Sequence, residues 1–232
     1  MKRRIKRLAV LPLAAVLLIA ALLWSGSPTP AAVVLPSGPP VLVIDAGHGG
    51  EDGGAVSRSG QVESQINLAV ALRLDALMGF AGVPSVLLRQ EDISLHDSGA
   101  ETLREKKRSD LENRVERINE TDNAVLISIH QNTFSDSSYH GAQVFYADEE
   151  SSLPLAQAAQ DALRRFLDPD NQRQPAKISD DIYLMAHVER PAILAECGFL
   201  SNPEEDALLG TEAWQLRIAL ALAGAYWDTY YG

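Results

Sequence analysis

The chain has 232 residues, enough for one catalytic domain or two small ones with a substantial core. Its net charge is −11, and five of its 20 basic residues stand ahead of residue 8, which leaves 15 basic against 31 acidic residues in the remainder. Such an acidic surface repels polyanions and argues against nucleic-acid binding. The only cysteine, Cys197, excludes an internal disulfide and a cysteine-based zinc site.

The N-terminal segment has the layout of an export signal. A basic cluster precedes an uncharged apolar run at residues 8–24, LAVLPLAAVLLIAALLW. This run fits a cleavable signal and is also just long enough to anchor in a bilayer. We therefore predict that residues 1–24 are a signal peptide or membrane anchor. Residues 25–40 carry five prolines and no charge, which predicts a stiff Pro-rich linker.

From residue 41 to residue 232, strand-like and helical patterns alternate. Apolar runs predict strands at 41–45, 84–88, 124–129, 142–146, 182–185 and 192–195. Helical spacing predicts helices over 63–78, through Leu111, Val115 and Ile118, through 155–166, briefly after Asn202 and Pro203, and from Thr211 to about Tyr226. The alternation predicts a single α/β domain with a mostly parallel central sheet of about six strands flanked by helices.

The glycine-rich segment GHGGEDGG at 47–54 directly follows the first predicted strand. A dinucleotide-binding loop would need glycine where Asp52 stands, and no G-K-[ST] follows for a P-loop. We instead expect the glycines to let the backbone turn sharply and carry His48 into an open cleft.

Four side chains suited to metal chemistry accompany these strands. His48 follows the first strand, Glu63 opens the next helix, and the strands AVLISIH and AILAE end at His130 and Glu196. The carboxyl ends of parallel strands meet at one edge of a sheet, so we expect these groups to converge there. Two histidines and one glutamate form a three-ligand set for catalytic zinc, with a fourth position for water. The remaining glutamate then suits a general base.

Each of these residues also has a purely structural interpretation. A single histidine at a strand end is more often structural than a ligand, and Glu63 fits a favourable partner of the helix dipole. Glu196 resists this interpretation, because burying a carboxylate costs several kcal/mol unless a cation compensates. His187 is a weaker candidate for a substrate role, and His96 and His140 in polar loops are weaker still.

Three motifs occur in a characteristic order: GHGGEDGGAV at 47–56 followed by Glu63, SIHQN at 128–132, and AECGFLSNPEE at 195–205. Their order and spacing resemble the zinc-type N-acetylmuramoyl-L-alanine amidase family over essentially all of 41–232. The resemblance implies an amidase catalytic domain that hydrolyses the bond between N-acetylmuramic acid and L-alanine in peptidoglycan. It also implies that His48, Glu63 and His130 bind Zn²⁺ and that Glu196 is the catalytic glutamate.

Further positions agree with the family pattern, and the resemblance implies that they shape the site without reacting: Arg89, Asp92, Arg114 and Asn119. Three positions depart from residues common in the family, and none is a presumed ligand: Ala46, Thr133 and Cys197. A thiol nucleophile at Cys197 lacks an independent base, so a small buried core residue is the favoured interpretation.

A narrower resemblance is to the germination-specific amidases of endospore formers. It rests on the N-terminal anchor without wall-binding repeats, the polar insertion at 97–110 leading into DLENRV, and IYLM at 182–185. It implies a role in spore cortex maturation, in which a pathway partner, a deacetylase, permits muramic δ-lactam formation. The protein would be exported, and either anchored in the membrane or secreted to the cell wall or forespore intermembrane space.

Three alternatives stay open on the sequence alone. A vegetative cell-wall autolysin shares every catalytic motif, a zinc peptidase acting on stem peptides could use the same metal set, and a wall-binding module could keep the fold without catalysis. The segment between His130 and Ala142 has 11 residues, too few for an occluding helix, so we expect an uncovered site.

Overall fold

The computed structural model describes residues 38–232. The predicted export segment at 1–24 and most of the predicted linker at 25–40 therefore lie outside the described residues. Within the described range, no helix combines the length and the apolar character needed to cross a bilayer.

Within residues 38–232, six strands form one central sheet. They are β1 (Val41–Ala46), β2 (Ser85–Leu87), β3 (Ala124–Asn132), β4 (Gln143–Tyr146), β5 (Ala176–Lys177) and β6 (Ala192–Phe199). Their order across the sheet is β2-β1-β3-β6-β4-β5, and every pair is parallel except β4 with β6. The prediction of a single α/β domain with a mostly parallel six-stranded sheet is confirmed.

Six described helices cover both faces of the sheet: α1 (Glu63–Phe80), α2 (Leu103–Glu120), α3 (Leu153–Leu167), α4 (Tyr183–His187), α5 (Pro203–Leu209) and α6 (Glu212–Tyr230). The larger core joins α1, α3 and α6 to one face, and the smaller core joins α2 and α4 to the other. Along β1 the side chains alternate, with Leu42 and Ile44 in the first core and Val43 in the second. Both faces are thus buried, as a parallel sheet requires.

Side-chain caps set several helix starts. Thr211 accepts a hydrogen bond from the Trp214 backbone N–H, and Asn202 accepts from two backbone N–H groups at the start of α5, in agreement with the predicted starts of both helices. Thr102 and Glu105 form a reciprocal capping box that starts α2 eight residues ahead of its first predicted apolar position, Leu111.

The strand predicted at 182–185 is wrong, because Tyr183–His187 forms the short helix α4. A short apolar run does not distinguish a strand from a buried helical turn, and here Leu184 and Met185 pack into the smaller core. The sheet keeps six strands because Ala176–Lys177, which was not predicted, pairs with β4. The strands β3 and β6 also continue past His130 and Glu196, to Asn132 and Phe199.

Candidate active site

Three predicted ligands meet at one edge of the sheet. His48 lies just after β1, Glu63 opens α1, and His130 lies near the end of β3. One ligand atom from each of the three lies within 4.8 Å of the others. Glu196 pairs directly with His130 in the β3–β6 register, which places it beside the same cluster. The predicted convergence of the four residues at one edge is therefore what the fold produces.

The carboxylate of Glu63 lies between the two imidazoles. Its Oε1 is 3.0 Å from His130 Nδ1 and 3.4 Å from His48 Nε2. Backbone N–H groups of Gln131 and Ala55 donate to Oε1 and Oε2 at 3.1 and 2.8 Å. Burial by itself raises the pKa of Glu63, but the hydrogen bonds from His130 and His48 outweigh it and hold this pKa far below its usual range. Glu63 is therefore a fixed anion.

Asp52 orients the ring of His48. Asp52 Oδ1 lies 3.1 Å from His48 Nδ1, and Asp52 Oδ2 lies 3.1 Å from Lys107 Nζ. An Nδ1–H that donates to Asp52 leaves Nε2, the nitrogen facing Glu63, free to bind a metal. Burial lowers the pKa of His48, but Glu63 and Asp52 outweigh it and the net shift is upward. The sequence pattern singles out Asp52 only as the residue that replaces a glycine of a dinucleotide-binding loop, and its orienting role was not predicted. Its position four residues after a candidate ligand was the available signal.

Two buried arginines hold the carbonyl groups of the ligand loop. Arg89 Nε donates to Ala46 O at 2.8 Å, and Arg89 Nη2 donates to Gly47 O at 3.1 Å. Arg114 Nη1 donates to Ala46 O at 3.1 Å, and Arg114 Nη2 donates to His48 O at 2.7 Å. His48 itself has φ of 63°, an uncommon conformation for a non-glycine residue, and these bonds fix it there.

The other two residues assigned a shaping role differ from each other. Asp92 Oδ1 accepts a hydrogen bond from Gly50 N at 3.3 Å, so it contributes to the ligand loop. Asn119 instead accepts from Glu189 N at 2.8 Å and donates to His187 O, where it connects α2 to the segment after α4. The structure does not bring Asn119 to the metal cluster.

Two glycines are required for the cluster to close. A Cβ on Gly47 would overlap the imidazole of His130. Gly54 has φ of +70°, and a Cβ there would lie 2.5 Å from Glu63 Oε2. The backbone at Gly47 and Gly54 therefore lies too close to the candidate ligands to leave room for a side chain.

Within residues 38–232, the carboxylate of Glu196 lacks a hydrogen-bond partner that its burial would call for. Its Oε2 is buried and has no hydrogen-bond partner among the described residues. Burial raises the pKa of Glu196 to about 7, with His130 and His48 opposing this shift and Glu63 adding to it. A carboxyl group with this pKa suits proton transfer near neutral pH. The donor set, two imidazoles with one fixed carboxylate and a free carboxyl beside them, fits a catalytic divalent metal.

The remaining histidines lie outside the three-residue cluster. His187 stacks on Tyr183 with ring centroids 4.0 Å apart, His140 contacts Asp168, and His96 contacts Ser94. None of them belongs to a metal-binding group of the described residues.

Cys197 is buried in the larger core, and burial raises the pKa of its thiol well above the usual range. A thiol with a raised pKa is a poor nucleophile, which agrees with the favoured core role. In the described loop between β3 and β4 there is no helix, as predicted from its length. The side chains of His48 and His130 accordingly remain 21% and 19% exposed.

Comparison with known proteins gives concordant matches. The family described as N-acetylmuramoyl-L-alanine amidase matches residues 42–226. The germination-specific N-acetylmuramoyl-L-alanine amidase of Bacillus subtilis (strain 168) is 36% identical over 189 residues, which is 81% of this chain and 78% of that protein. Among solved structures, the CwlD amidase of Clostridioides difficile, in complex with the GerS lipoprotein, is 38% identical with a TM-score of 0.78, covering 82% of this chain and 98% of that one. The catalytic domain of CwlV from Bacillus (Paenibacillus) polymyxa var. colistinus is 28% identical with a TM-score of 0.66, covering 82% and 97%.

Proposed function

Because the chain belongs to the N-acetylmuramoyl-L-alanine amidase family, we propose that it hydrolyses the amide bond between N-acetylmuramic acid and L-alanine of peptidoglycan with a zinc ion bound by His48, Glu63 and His130. The observation that carries the zinc assignment is the approach of these three ligand atoms to within 4.8 Å of one another. A bound zinc ion supplies Lewis acidity and an acidified water.

The residues of the chain itself have separable roles. The fixed anion of Glu63 and the imidazoles of His48 and His130 hold the ion, and Asp52 keeps His48 in the ligating orientation. Glu196 accepts the proton of the attacking water and returns it to the leaving amine of L-alanine. Its raised pKa and its unpartnered Oε2 support this assignment.

The general-base role of Glu196 is tested by Glu196→Gln. Glutamine keeps the shape and can still hydrogen-bond, but it cannot take the proton. We expect the variant to bind stoichiometric zinc and to lose roughly 10²–10⁴-fold in turnover. Zinc content by mass spectrometry and release of L-alanine-terminated peptide from muropeptides are measured in parallel. A Glu196→Gln variant with full zinc and near-normal turnover would show that Glu196 is not the general base. A variant without zinc would show that Glu196 is a metal ligand.

The zinc assignment is tested by chelation and by His130→Ala. Chelation should abolish hydrolysis, and added zinc should restore it. His130→Ala should lose both zinc and turnover, so stoichiometric zinc in this variant would contradict the ligand set. Product analysis separates the amidase from a zinc peptidase with the same metal set, because only muramoyl cleavage frees the amino group of L-alanine.

The physiological role that we propose is maturation of the spore cortex, in which removal of the stem peptide precedes deacetylation and muramic δ-lactam formation. The likeness to a germination-specific relative of 36% identity supports this role over that of a vegetative autolysin. The test is expression of the full chain in a Bacillus subtilis strain lacking its germination-specific amidase. Return of muramic δ-lactam in cortex digests is expected, and its absence despite active, exported protein would contradict the cortex role.

The site of action that we propose is outside the cytoplasm, with export directed by residues 1–24. The match to amidases of the cell wall supports extracytoplasmic action. The CwlD amidase of Clostridioides difficile was solved with a lipoprotein, and this supports a protein partner for the present chain in addition to a deacetylase acting on its product. Cell fractionation that finds the full-length chain in the cytosol would refute export.

A further inference from the structure

Two aromatic side chains stand exposed on the loop that follows the strand of His130. Phe134 and Tyr139 are 51% and 44% exposed, and their ring centroids lie 4.7 Å apart with the planes tilted by 53°. Two exposed aromatic rings in contact with each other offer an apolar surface that a ligand can cover.

The position of this pair ties it to the site. Phe134 follows His130 by four residues, and Tyr139 lies 6.2 Å from the ring of Phe199, which follows Glu196 by three residues. Phe199 pairs with Asn132 across β3 and β6. The aromatic pair therefore extends from the ends of the two strands that carry His130 and Glu196.

Two hydrogen bonds hold the backbone of this loop to the segment after β6. Phe134 N donates to Ser201 Oγ at 3.0 Å, and Asn202 Nδ2 donates to Ser137 O at 3.1 Å. A surface that is ordered in advance loses little conformational entropy when a ligand binds. The two rings therefore form a prepared surface on the β6 side of His130.

The opposite side of the site is charged. Lys106 contacts Glu51, and Lys107 contacts Asp52, in the loop that follows β1. Since β1 and β6 flank β3, the charged side and the aromatic side lie on either side of His130. Both lysines are ion-paired, so this side carries charges of both signs. The substrate has a matching asymmetry, because an uncharged sugar stands on one side of the scissile amide and a peptide with charged groups stands on the other.

We propose that Phe134 and Tyr139 form a subsite for the glycan strand of peptidoglycan, on which pyranose rings stack by their C–H faces. Aromatic faces carry negative charge density and attract such polarised C–H groups. Polar groups around the rings suit the sugar hydroxyls, among them Ser135 and Ser138, both exposed. The proposal rests on the amidase function and adds the direction in which the substrate lies, with sugars towards β6 and peptide towards β1.

The test compares two substrates that share the scissile amide: a single muramoyl-peptide and a glycan strand of several disaccharides with the same peptide. For full-length Phe134→Ala and Tyr139→Ala we expect kcat/KM on the strand to fall roughly three- to tenfold, mainly through KM, with a smaller change on the single sugar. Phe134→Tyr should keep the preference for the strand, and Phe134→Leu should lose it, because only the former retains the aromatic face.

Phe80→Ala is the matched control, since Phe80 is 94% exposed at the far end of α1 from Glu63. This substitution should leave kcat/KM unchanged on both substrates. Equal losses on both substrates, or no loss, in the Phe134 and Tyr139 variants would overturn the subsite.

A second measurement is independent of catalysis. Binding of peptide-free glycan chains, followed by calorimetry, should weaken in Phe134→Ala and remain normal in Phe80→Ala. If the wild-type protein binds such chains but cleaves no muramoyl-peptide, the amidase function fails and the subsite stands. If it cleaves muramoyl-peptide and binds no glycan, the subsite fails and the amidase function stands.

Discussion

Replacing Asp52 by alanine should weaken zinc binding without removing a ligand. The carboxylate of Asp52 lies 3.1 Å from His48 Nδ1 and is the only side chain among the described residues that contacts this nitrogen. Without it, the ring can rotate and can also place its proton on Nε2, the nitrogen that should bind the ion.

The expected size of the effect follows from the exposure of Asp52. Loss of a carboxylate behind a ligating histidine costs about 10–100-fold in metal affinity. The side chain of Asp52 is 36% exposed, so water can replace part of its interaction, and we expect the lower end of that range. A tenfold loss corresponds to about 1.4 kcal/mol. The contact of Asp52 with Lys107 lies at the surface and adds little to folding stability.

The assay is competition for zinc against a chelator of known affinity, together with urea unfolding of the metal-free protein. Glu51→Ala is the matched control, because Glu51 belongs to the same loop and also contacts a lysine, Lys106, but does not touch His48. Asp52→Ala should raise the zinc dissociation constant about tenfold. Glu51→Ala should leave the zinc dissociation constant close to that of the wild type. Equal constants for the two variants would refute the orienting role.

Three further predictions concern the surroundings of the ligands. Arg114→Met leaves Asp45 buried without its ion pair and should cost about 3–5 kcal/mol of unfolding free energy in urea. Burial raises the pKa of Asp45, but Arg114 and a hydrogen bond from a serine outweigh it, so the net shift is downward. The ionised Asp45 therefore contributes stability that is complete above its unfolded-state pKa of about 3.9 and is lost as pH falls through the lower folded-state pKa. The difference in unfolding free energy between wild type and Asp45→Asn should accordingly shrink below about pH 4. Gly47→Ala should displace His130 and abolish stoichiometric zinc binding, whereas Gly79→Ala, in open space on α1, should bind zinc normally.

The sequence was informative about the ligands because parallel strands have a fixed direction. Once β1 and β3 are predicted as neighbours in a parallel sheet, His48 and His130 must reach the same edge, and Glu63 follows from the helix that starts there. Asp52 and the aromatic pair were missed for a different reason. Their roles depend on the direction of side chains in loops, which no periodic pattern encodes.

The errors have equally local causes. IYLM is four apolar residues, too short for its period to separate strand from helix, and contact with α2 decided in favour of the helix α4. Asn119 matched a family pattern, yet its position near the end of α2 directs it to the opposite side of the domain from the ligand loop. A match in a pattern fixes the residue type but does not fix what the side chain contacts.

The paired arginines beneath the ligand loop also constrain how this protein can diverge. Arg89 and Arg114 together bind three successive carbonyl groups, and Arg114 in turn holds Asp45 and Asp110. Loss of Arg114 alone leaves the buried carboxylate of Asp45 without its cation, whereas joint replacement of the charged members by apolar residues can be neutral for folding. Single substitutions along a mutational path are therefore penalised by strong epistasis. Lineages should keep the network whole or replace it together with the loop that it supports.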